Sequence, residues 1–517
     1  MRRTRLLSCV LVALAVTIFS TAATADVKPA PAFTSHGILQ QGQPVPVWGM
    51  ADPGEQISVS FGDHSATTKA DEDGKWMVKL PALEASSKSA SLTIKGKNRI
   101  TLKDIVVGEV WVCSGQSNME MGIKVVKDAQ KEIKNADYPN IRLFNVGRQT
   151  AGLPESELQG TWRRCSPETI VKEGWGGFSA VAYFFARHIH RELDVPVGVI
   201  SSNWGGTRIE PWTPRQGFAA VPELGSFVKQ IDELRTTYLN RVEKTMKAYD
   251  EWVERESKAL RSGEPGVEEP EWPSTPFTEN RFGRAGGPTV LYKGMIHGLV
   301  PYAMRGALWY QGESNMGDGL VYHDKMKALI RGWREIWDQG AFPFLYVQLA
   351  PWERYGNGQL PEIWDAQRRT LSVPNTGMAV TTDVGDLKDI HPKNKQAVGR
   401  RLALWAMAKT YEQEDLVYSG PLFESASVKD GEVHVNFSHT GSGLAVRDGE
   451  TLEWFEIAGE DGEFVEANAR IDGNHVVVLS DKVEHPTAVR FGWDNTANPN
   501  LFNKEGLPAS PFRATLK

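Results

Sequence analysis

The sequence from 106 to 120 reads Val106-Val107-Gly108-Glu109-Val110-Trp111-Val112-Cys113-Ser114-Gly115-Gln116-Ser117-Asn118-Met119-Glu120. An apolar run ends abruptly here in small polar residues, with Ser117 between two amide side chains. A hydroxyl just past a buried strand, where a helix begins, is a common position for a nucleophilic serine. The segment lacks the second glycine of a G-x-S-x-G motif, and a capped strand-to-helix turn would give the same pattern. The pattern therefore predicts a central strand followed by either a catalytic serine or a structural cap.

Beyond this strand, apolar runs alternate with helical stretches. Runs typical of buried parallel strands occupy residues 197–202, 306–310, 344–349 and 378–382. Helical patterns separate them at residues 179–193, 322–337 and 395–411. This alternation predicts the α/β class, with a doubly wound parallel sheet between helices.

Short strand patterns separated by turn signals flank the α/β block on both sides. We expect an N-terminal β-sandwich over residues 26–105, a catalytic domain over 106–415 and a C-terminal β-sandwich over 416–517. A charged stretch and a Pro/Glu-rich stretch, together about 234–280, interrupt the α/β block. They predict an inserted helix that faces solvent and a loop near the site.

Residues 1–25 have the features of a secretory signal peptide: a basic start, an apolar stretch and the small-residue cleavage site Ala23-Thr24-Ala25. Its removal would leave Cys113 and Cys165, which are too few for a disulfide framework, and two buried thiols are expected. We therefore expect an exported protein, periplasmic or extracellular, whose mature part has no membrane span.

The composition narrows the classes of partner. The formal net charge is −6 at pH 7, and no basic patch stands out. Such a chain lacks the electrostatic footprint of a nucleic-acid or anionic-lipid binder. The sequence contains no C-x-x-C or H-E-x-x-H motif, so it predicts neither a metal site nor a cofactor.

Two polar segments follow predicted strands of the α/β block, where the carboxyl ends of parallel strands form a ligand crevice. The first contains Gly205 and Gly206, which either let backbone N–H groups approach a ligand closely or form a plain turn. The second contains Gln311, Glu313 and Asn315. This polar set suits oxyanion stabilisation and substrate binding, or it caps the strand.

A third segment, residues 383–392, contains Asp386, Asp389 and His391. A carboxylate near an imidazole fixes the tautomer of the ring and stabilises its protonated form. A lone histidine is more often structural, but the Asp-Ile-His step together with the upstream serine favours a catalytic role.

In combination, these motifs resemble the sialate O-acetylesterase family, part of the broader SGNH-type hydrolases. The resemblance rests on Gly-Gln-Ser-Asn-Met (115–119), Trp-Tyr-Gln-Gly-Glu-Ser-Asn (309–315) and Asp-Ile-His-Pro-Lys-Asn-Lys (389–395). It extends from residues 42–51 to residues 506–512, which is nearly the whole chain after the signal. It implies a secreted carbohydrate acetylesterase with a three-layer SGNH-like core and flanking β-sandwich domains.

The resemblance also implies roles for the site residues. Ser117 would be the nucleophile, His391 the general base and acid, and Asp389 the residue that orients His391. The usual pattern places the acid three residues before the histidine, where this chain has Lys388, so Asp386 remains the reserve acid. The oxyanion donors would be the N–H of Ser117, an N–H of the Gly205–Gly206 turn, and a side-chain amide from Gln311 or Asn315. The reaction would need no cofactor.

The sequence leaves the sugar open. The substrate would be an O-acetylated sialic acid or, alternatively, acetylated xylan or another glycan. Arg208 is the one arginine near the site that suggests a carboxylate contact, although a structural salt bridge is the favoured explanation. A non-catalytic carbohydrate-binding protein is the alternative from another class.

Overall fold

The structure is a computed structural model, and it describes residues 26–283, 285–356, 358–449 and 451–516. The predicted signal peptide lies outside the described residues. Within the described ranges, no helix has the length and apolar character needed to cross a membrane. Cys113 and Cys165 are both buried free thiols, as predicted.

The N-terminal region is built from short strands. Alternating residues of these strands point inward, as Trp76, Val78 and Leu80 do. One sheet has the order β1-β3-β6, and β4, β5, β7 and β2 form a second sheet with β8. The strands are β1 (Lys28–Pro29), β2 (Ile38–Gln40), β3 (Val45–Met50), β4 (Gln56–Phe61), β5 (His64–Lys69), β6 (Lys75–Leu80), β7 (Ser86–Lys95) and β8 (Arg99–Gly115).

Strand β8 belongs to two parts of the molecule. Its first half pairs antiparallel with β7. Its second half, which contains the apolar run, is continuously buried and forms the centre of the α/β sheet. The domain boundary expected at residue 105 therefore falls inside one strand, which connects the N-terminal strands rigidly to the α/β block.

The α/β sheet has the order β10-β9-β11-β8-β12-β13-β14, and of these pairs only β10 with β9 is antiparallel. The predicted parallel strands are confirmed, although the last ends at Ala379. Its members besides β8 are β9 (Tyr138–Asn145), β10 (Trp162–Cys165), β11 (Val197–Asn203), β12 (Gly306–Tyr310), β13 (Phe344–Val347) and β14 (Thr376–Ala379).

Helices cover both faces of this sheet. Trp111 of β8 packs edge-on against Phe185 of α3, with ring centroids 4.9 Å apart. Trp309 of β12 points to the opposite face and meets Trp333 of α6 at 6.2 Å. The helices are α1 (Ser117–Glu120), α2 (Ala129–Lys134), α3 (Ala180–Leu193), α4 (Arg215–Ala219), α5 (Gly225–Ser262), α6 (Val321–Trp337), α7 (Gln359–Thr370) and α8 (Lys395–Lys409).

Helix α5 is the predicted inserted helix. It begins at Gly225, nine residues before the expected start, and only Ile231, Leu234 and Ala259 are buried along it. The loop that follows runs back along the helix, and Trp252 Nε1 donates to the carbonyl of Val267 at 3.0 Å.

The C-terminal region forms facing β-sheets with a separate apolar core, as expected for a β-sandwich. Phe423 and Phe512 stack across it, with ring centroids 4.4 Å apart. The strands are β15 (Leu422–Lys429), β16 (Glu432–Ser438), β17 (Leu444–Val446), β18 (Phe455–Ala458), β19 (Phe464–Glu466), β20 (Asn468–Asp472), β21 (His475–Leu479), β22 (Ala488–Phe491), β23 (Leu501–Asn503) and β24 (Phe512–Thr515).

Candidate active site

The register of the central strands brings the polar segments together. Gly115 at the end of β8 lies level with Asn203 of β11 on one side and Tyr310 of β12 on the other. Since parallel strands end at the same sheet edge, the segments that follow these residues meet there. The loop between β14 and α8 reaches the same edge and brings His391.

The backbone at Gly115 aims Ser117 into this crevice. Gly115 has φ +143°, and a Cβ there would lie 2.1 Å from the carbonyl oxygen of Tyr310. Only glycine lets β8 end this close to β12. The chain then turns at once into α1, whose first residue is the half-buried Ser117.

Ser117 and His391 are in hydrogen-bond contact. The Nε2 atom of His391 lies 2.9 Å from Ser117 Oγ, which is the distance required for proton transfer from a nucleophile to its base. The two residues lie far apart in the sequence, so the fold brings them into contact.

The structure places Asp389, and not Asp386, beside His391. Asp389 Oδ1 lies 3.5 Å from His391 Nδ1 and accepts the backbone N–H of His391 at 2.9 Å. Asp386 Oδ1 instead accepts the N–H of Lys388 at 3.0 Å. The Asp389 side chain is 43% exposed. Its contact with the imidazole is therefore both long and partly solvated.

The environment favours a neutral His391. Burial lowers the pKa of His391, and the nearby Lys395 cation lowers it further, while Asp389 acts in the opposite direction. A neutral imidazole is the form that accepts the proton of a serine hydroxyl.

A polar network connects the loop that contains His391 to the serine turn. Asn118 Nδ2 donates to Glu313 Oε1 at 2.5 Å and to the carbonyl of Ile390 at 2.9 Å. Lys395 Nζ donates to Asn118 Oδ1 at 2.5 Å. Asn118 thereby connects the serine turn, the second polar segment and the residue preceding His391.

Glu313 and Lys395 are the ionisable groups of this network, and Lys395 is fully buried. Burial raises the pKa of Glu313, and burial lowers the pKa of Lys395 to about 7. Glu313 was expected at the substrate, but its carboxylate faces Asn118. Sequence reasoning missed Asn118 and Lys395 as functional candidates, although both lie in the quoted motifs.

Lys395→Met is expected to shift the pH dependence of any reaction in which Ser117 and His391 act together. Removing the cation raises the pKa of His391, because Lys395 lowers it. His391 must be neutral to act as the base, so the acidic limb of kcat/KM should move to higher pH. A pH series with an acetate ester measures this limb. Lys393→Met is the matched control, because Lys393 is exposed and screened by solvent. If the acidic limb stays in place or moves to lower pH, Lys395 does not lower the pKa of His391 and the prediction is wrong.

The glycine turn packs directly on Ser117. A Cβ on Gly205 would lie 3.2 Å from the Cβ of Ser117. The Gly205 N–H donates to Glu120 Oε2 at 2.8 Å, so this donor has an acceptor already. Gly206 has φ +74°, and a Cβ there would meet no atom within 4 Å.

The amides of Gln311 and Asn315 are engaged away from Ser117, which differs from their expected role as oxyanion donors. Gln311 Nε2 donates to the carbonyl of Thr207 at 3.1 Å and to Asn315 Oδ1 at 2.7 Å. Asn315 Nδ2 donates to Asp318 Oδ2 at 2.6 Å and to Glu210 Oε2 at 3.2 Å. Both side chains are fully buried, and their N–H groups donate to these acceptors instead of pointing to Ser117.

Arg208 belongs to the same network. Its Nη2 lies 3.0 Å from Glu210 Oε1 and 2.8 Å from Asp318 Oδ1. The structural salt bridge is therefore present, and Arg208 shares the two carboxylates with Lys325.

The fold and the serine–histidine contact agree with a match to a protein-family model. Residues 281–408 match the family described as carbohydrate esterase, sialic acid-specific acetylesterase. This range contains His391 and the network residues Glu313 and Lys395. The chain is a carboxylic ester hydrolase of the carbohydrate esterase class.

Matches that cover most of the chain show the family to which it belongs. The sialate O-acetylesterase of Rattus norvegicus is 31% identical over 523 residues, covering 91% of each chain. That of Homo sapiens is 28% identical, covering 90% of this chain and 88% of the human one. A crystal structure of a carbohydrate acetylesterase from Xanthomonas citri is 34% identical, with a TM-score of 0.78, and covers 95% of this chain and 99% of that one. The chain belongs to the sialate O-acetylesterase family.

Proposed function

We propose that this chain is an exported serine esterase that removes O-acetyl groups from carbohydrate through an acetyl-enzyme at Ser117. The observation that carries the proposal is the 2.9 Å contact between Ser117 Oγ and His391 Nε2. Export rests on the predicted signal peptide. The core would be the three-layer SGNH type, which agrees with helices on both faces of the sheet.

The proposed reaction has two halves. His391 Nε2 takes the proton of Ser117 as Oγ attacks the acetyl carbonyl, and the protonated His391 then gives this proton to the departing sugar oxygen. In the second half, His391 takes a proton from water, the hydroxide attacks the acetyl-enzyme, and the proton returns to Ser117 Oγ as acetate leaves. No cofactor enters this scheme.

Backbone N–H groups stabilise the negative charge that develops on the carbonyl oxygen in the proposed reaction. The N–H of Ser117 is the first donor. The Gly206 N–H is the second, because the Gly205 N–H already donates to Glu120 and the turn lies against Ser117. Each donor of this kind contributes about 3 kcal/mol to the barrier.

Asp389→Asn and Asp386→Asn, compared side by side, test the acid. We expect Asp389→Asn to lower kcat about tenfold to a hundredfold. This loss is at or below the smallest loss that is typical for a residue that transfers a proton, because the contact between Asp389 and His391 is long and exposed to solvent. Asp386→Asn should leave kcat close to that of the parent enzyme. Equal losses in the two variants would contradict the assignment of Asp389.

Acetate release from defined esters tests the function itself. The purified mature chain is expected to release acetate from at least one of two substrates, 9-O-acetylated sialic acid and acetylated xylan, without added metal. A protein that binds these sugars and releases no acetate from either would instead fit the non-catalytic alternative. The intact contact between Ser117 and His391 favours the enzyme.

A further inference from the structure

A cavity of about 580 Å³ lies beside the catalytic pair. Trp175 forms one wall, and Glu120, Arg148 and Asn203 line it with polar groups. Glu120 ends the helix that Ser117 begins, and Trp175 touches His391. Two of its lining residues are therefore close neighbours of Ser117 and His391.

Trp175 is an exposed aromatic ring that the fold holds in place. It is 41% exposed, and its ring meets His391 edge-on with centroids 4.9 Å apart. Its carbonyl accepts the N–H of Gly122 at 2.9 Å, which ties the loop to the serine segment. An indole left open to water at a reaction centre offers an apolar face to a ligand ring.

The rest of the cavity suits a ring rich in hydroxyl groups. The carboxylate of Glu120 and the guanidinium of Arg148 provide acceptors and donors in fixed planes. Asn203 is buried, and one amide hydrogen is directed to Ser201 Oγ at 2.7 Å, which fixes the plane of the amide. An aromatic wall together with planar polar groups matches the apolar face and the peripheral hydroxyl groups of a sugar ring.

The charges of this region favour a neutral sugar. Arg148 is paired with Glu120. Arg208 borders a second cavity of about 460 Å³ beside the glycine turn and shares Glu210 and Asp318 with Lys325. Each arginine therefore already has a carboxylate partner, and a carboxylate of the substrate would have to compete with that partner, which costs free energy in a partly buried site.

We propose that the cavity walled by Trp175 is the subsite for the sugar that carries the acetyl group, and that it selects a neutral sugar over a sugar acid. The proposal rests on the esterase function proposed above. The sugar ring packs on the indole of Trp175, and its hydroxyl groups bind Arg148, Glu120 and Asn203. The acetyl ester then lies at Ser117 Oγ, beside the glycine turn.

Trp175→Ala tests the aromatic wall. Steady-state constants are measured for acetylated methyl xyloside and for ethyl acetate, which has the same acyl group and no sugar. The ratio of kcat/KM for the sugar ester to that for ethyl acetate should fall about tenfold, mainly through KM of the sugar ester, and Trp175→Phe should restore part of it. Trp272→Ala is the matched control, because Trp272 is 54% exposed on the loop after α5. An unchanged ratio, including an equal loss on both esters, would overturn the subsite.

The preference for a neutral sugar is tested with the parent enzyme. Methyl glucoside and methyl glucuronide, acetylated at the same hydroxyl, differ only in the carboxylate. We expect kcat/KM to be at least about tenfold higher for the glucoside, which corresponds to about 1.4 kcal/mol. Equal values, or a preference for the glucuronide, would overturn the selection of a neutral sugar. Failure of the esterase function itself would be distinct, because ethyl acetate and both sugars would then be inert.

Discussion

Ser117→Ala is expected to abolish acetate release while the protein stays folded. Without Oγ, no acetyl-enzyme forms, and His391 Nε2 loses the hydroxyl that lies 2.9 Å away. Removal of the nucleophile from a serine–histidine unit lowers kcat about a millionfold. His391→Ala should cause a similar loss, and the double variant should lose little more, because the two residues act as one unit. Acetate release at saturating substrate measures kcat for all three variants.

Ser114→Ala is the matched control for this prediction. Ser114 lies three residues earlier on β8, is fully buried, and its Oγ has no hydrogen-bond partner among the described residues. The same chemical change there should leave turnover near that of the parent. Near-parental activity in folded Ser117→Ala would exclude Ser117 as the nucleophile.

Gly115→Ala is expected to destabilise the fold strongly. The new Cβ would lie 2.1 Å from the carbonyl oxygen of Tyr310, which belongs to rigid backbone, and φ is +143°. Backbone strain and steric overlap together cost about 3 kcal/mol or more. The residue also sets the approach of Ser117, so the remaining folded fraction should have a reduced kcat. Denaturant unfolding, followed by fluorescence, gives the change in free energy of unfolding.

Gly225→Ala is the matched control for Gly115→Ala. Gly225 is the first residue of α5, and a Cβ there would meet no atom within 4 Å. The substitution should leave stability equal or slightly raised, since alanine reduces the entropy of the unfolded chain. If both variants unfolded at the same denaturant concentration, the close approach of β8 and β12 would not be the constraint described.

The sequence predicts the α/β sheet because its strands are buried on both faces and read as apolar runs. It predicts Ser117 and His391 because each follows a strand of that sheet. The start of α5 was missed because the charged run began at Leu234. The preceding Phe227, Val228 and Ile231 have helical spacing, and this pattern could have extended the helix to Gly225.

The hydrogen-bond partners of the Gln311 and Asn315 side chains could not be predicted from the sequence. Gln311 and Asn315 follow a strand, as a substrate-binding pair would, but their hydrogen bonds go to Thr207, Glu210 and Asp318. The pairings with Thr207 and Glu210 depend on the packing of loops that are distant along the chain. The role of Asn118 is hidden for the same reason, because Glu313 and Lys395 approach it only in the folded protein.

Covalent labelling tests the central claim, that His391 activates Ser117 as the nucleophile. A 4-nitrophenyl phosphonate esterifies activated serine hydroxyls, and peptide mapping by mass spectrometry locates the modified residue. We predict a single phosphonyl group on Ser117, acetate release lost in proportion to its occupancy, and no labelling of His391→Ala. A protein that keeps its acetate release when Ser117 is fully modified, or that is inactivated through another residue, would contradict the account.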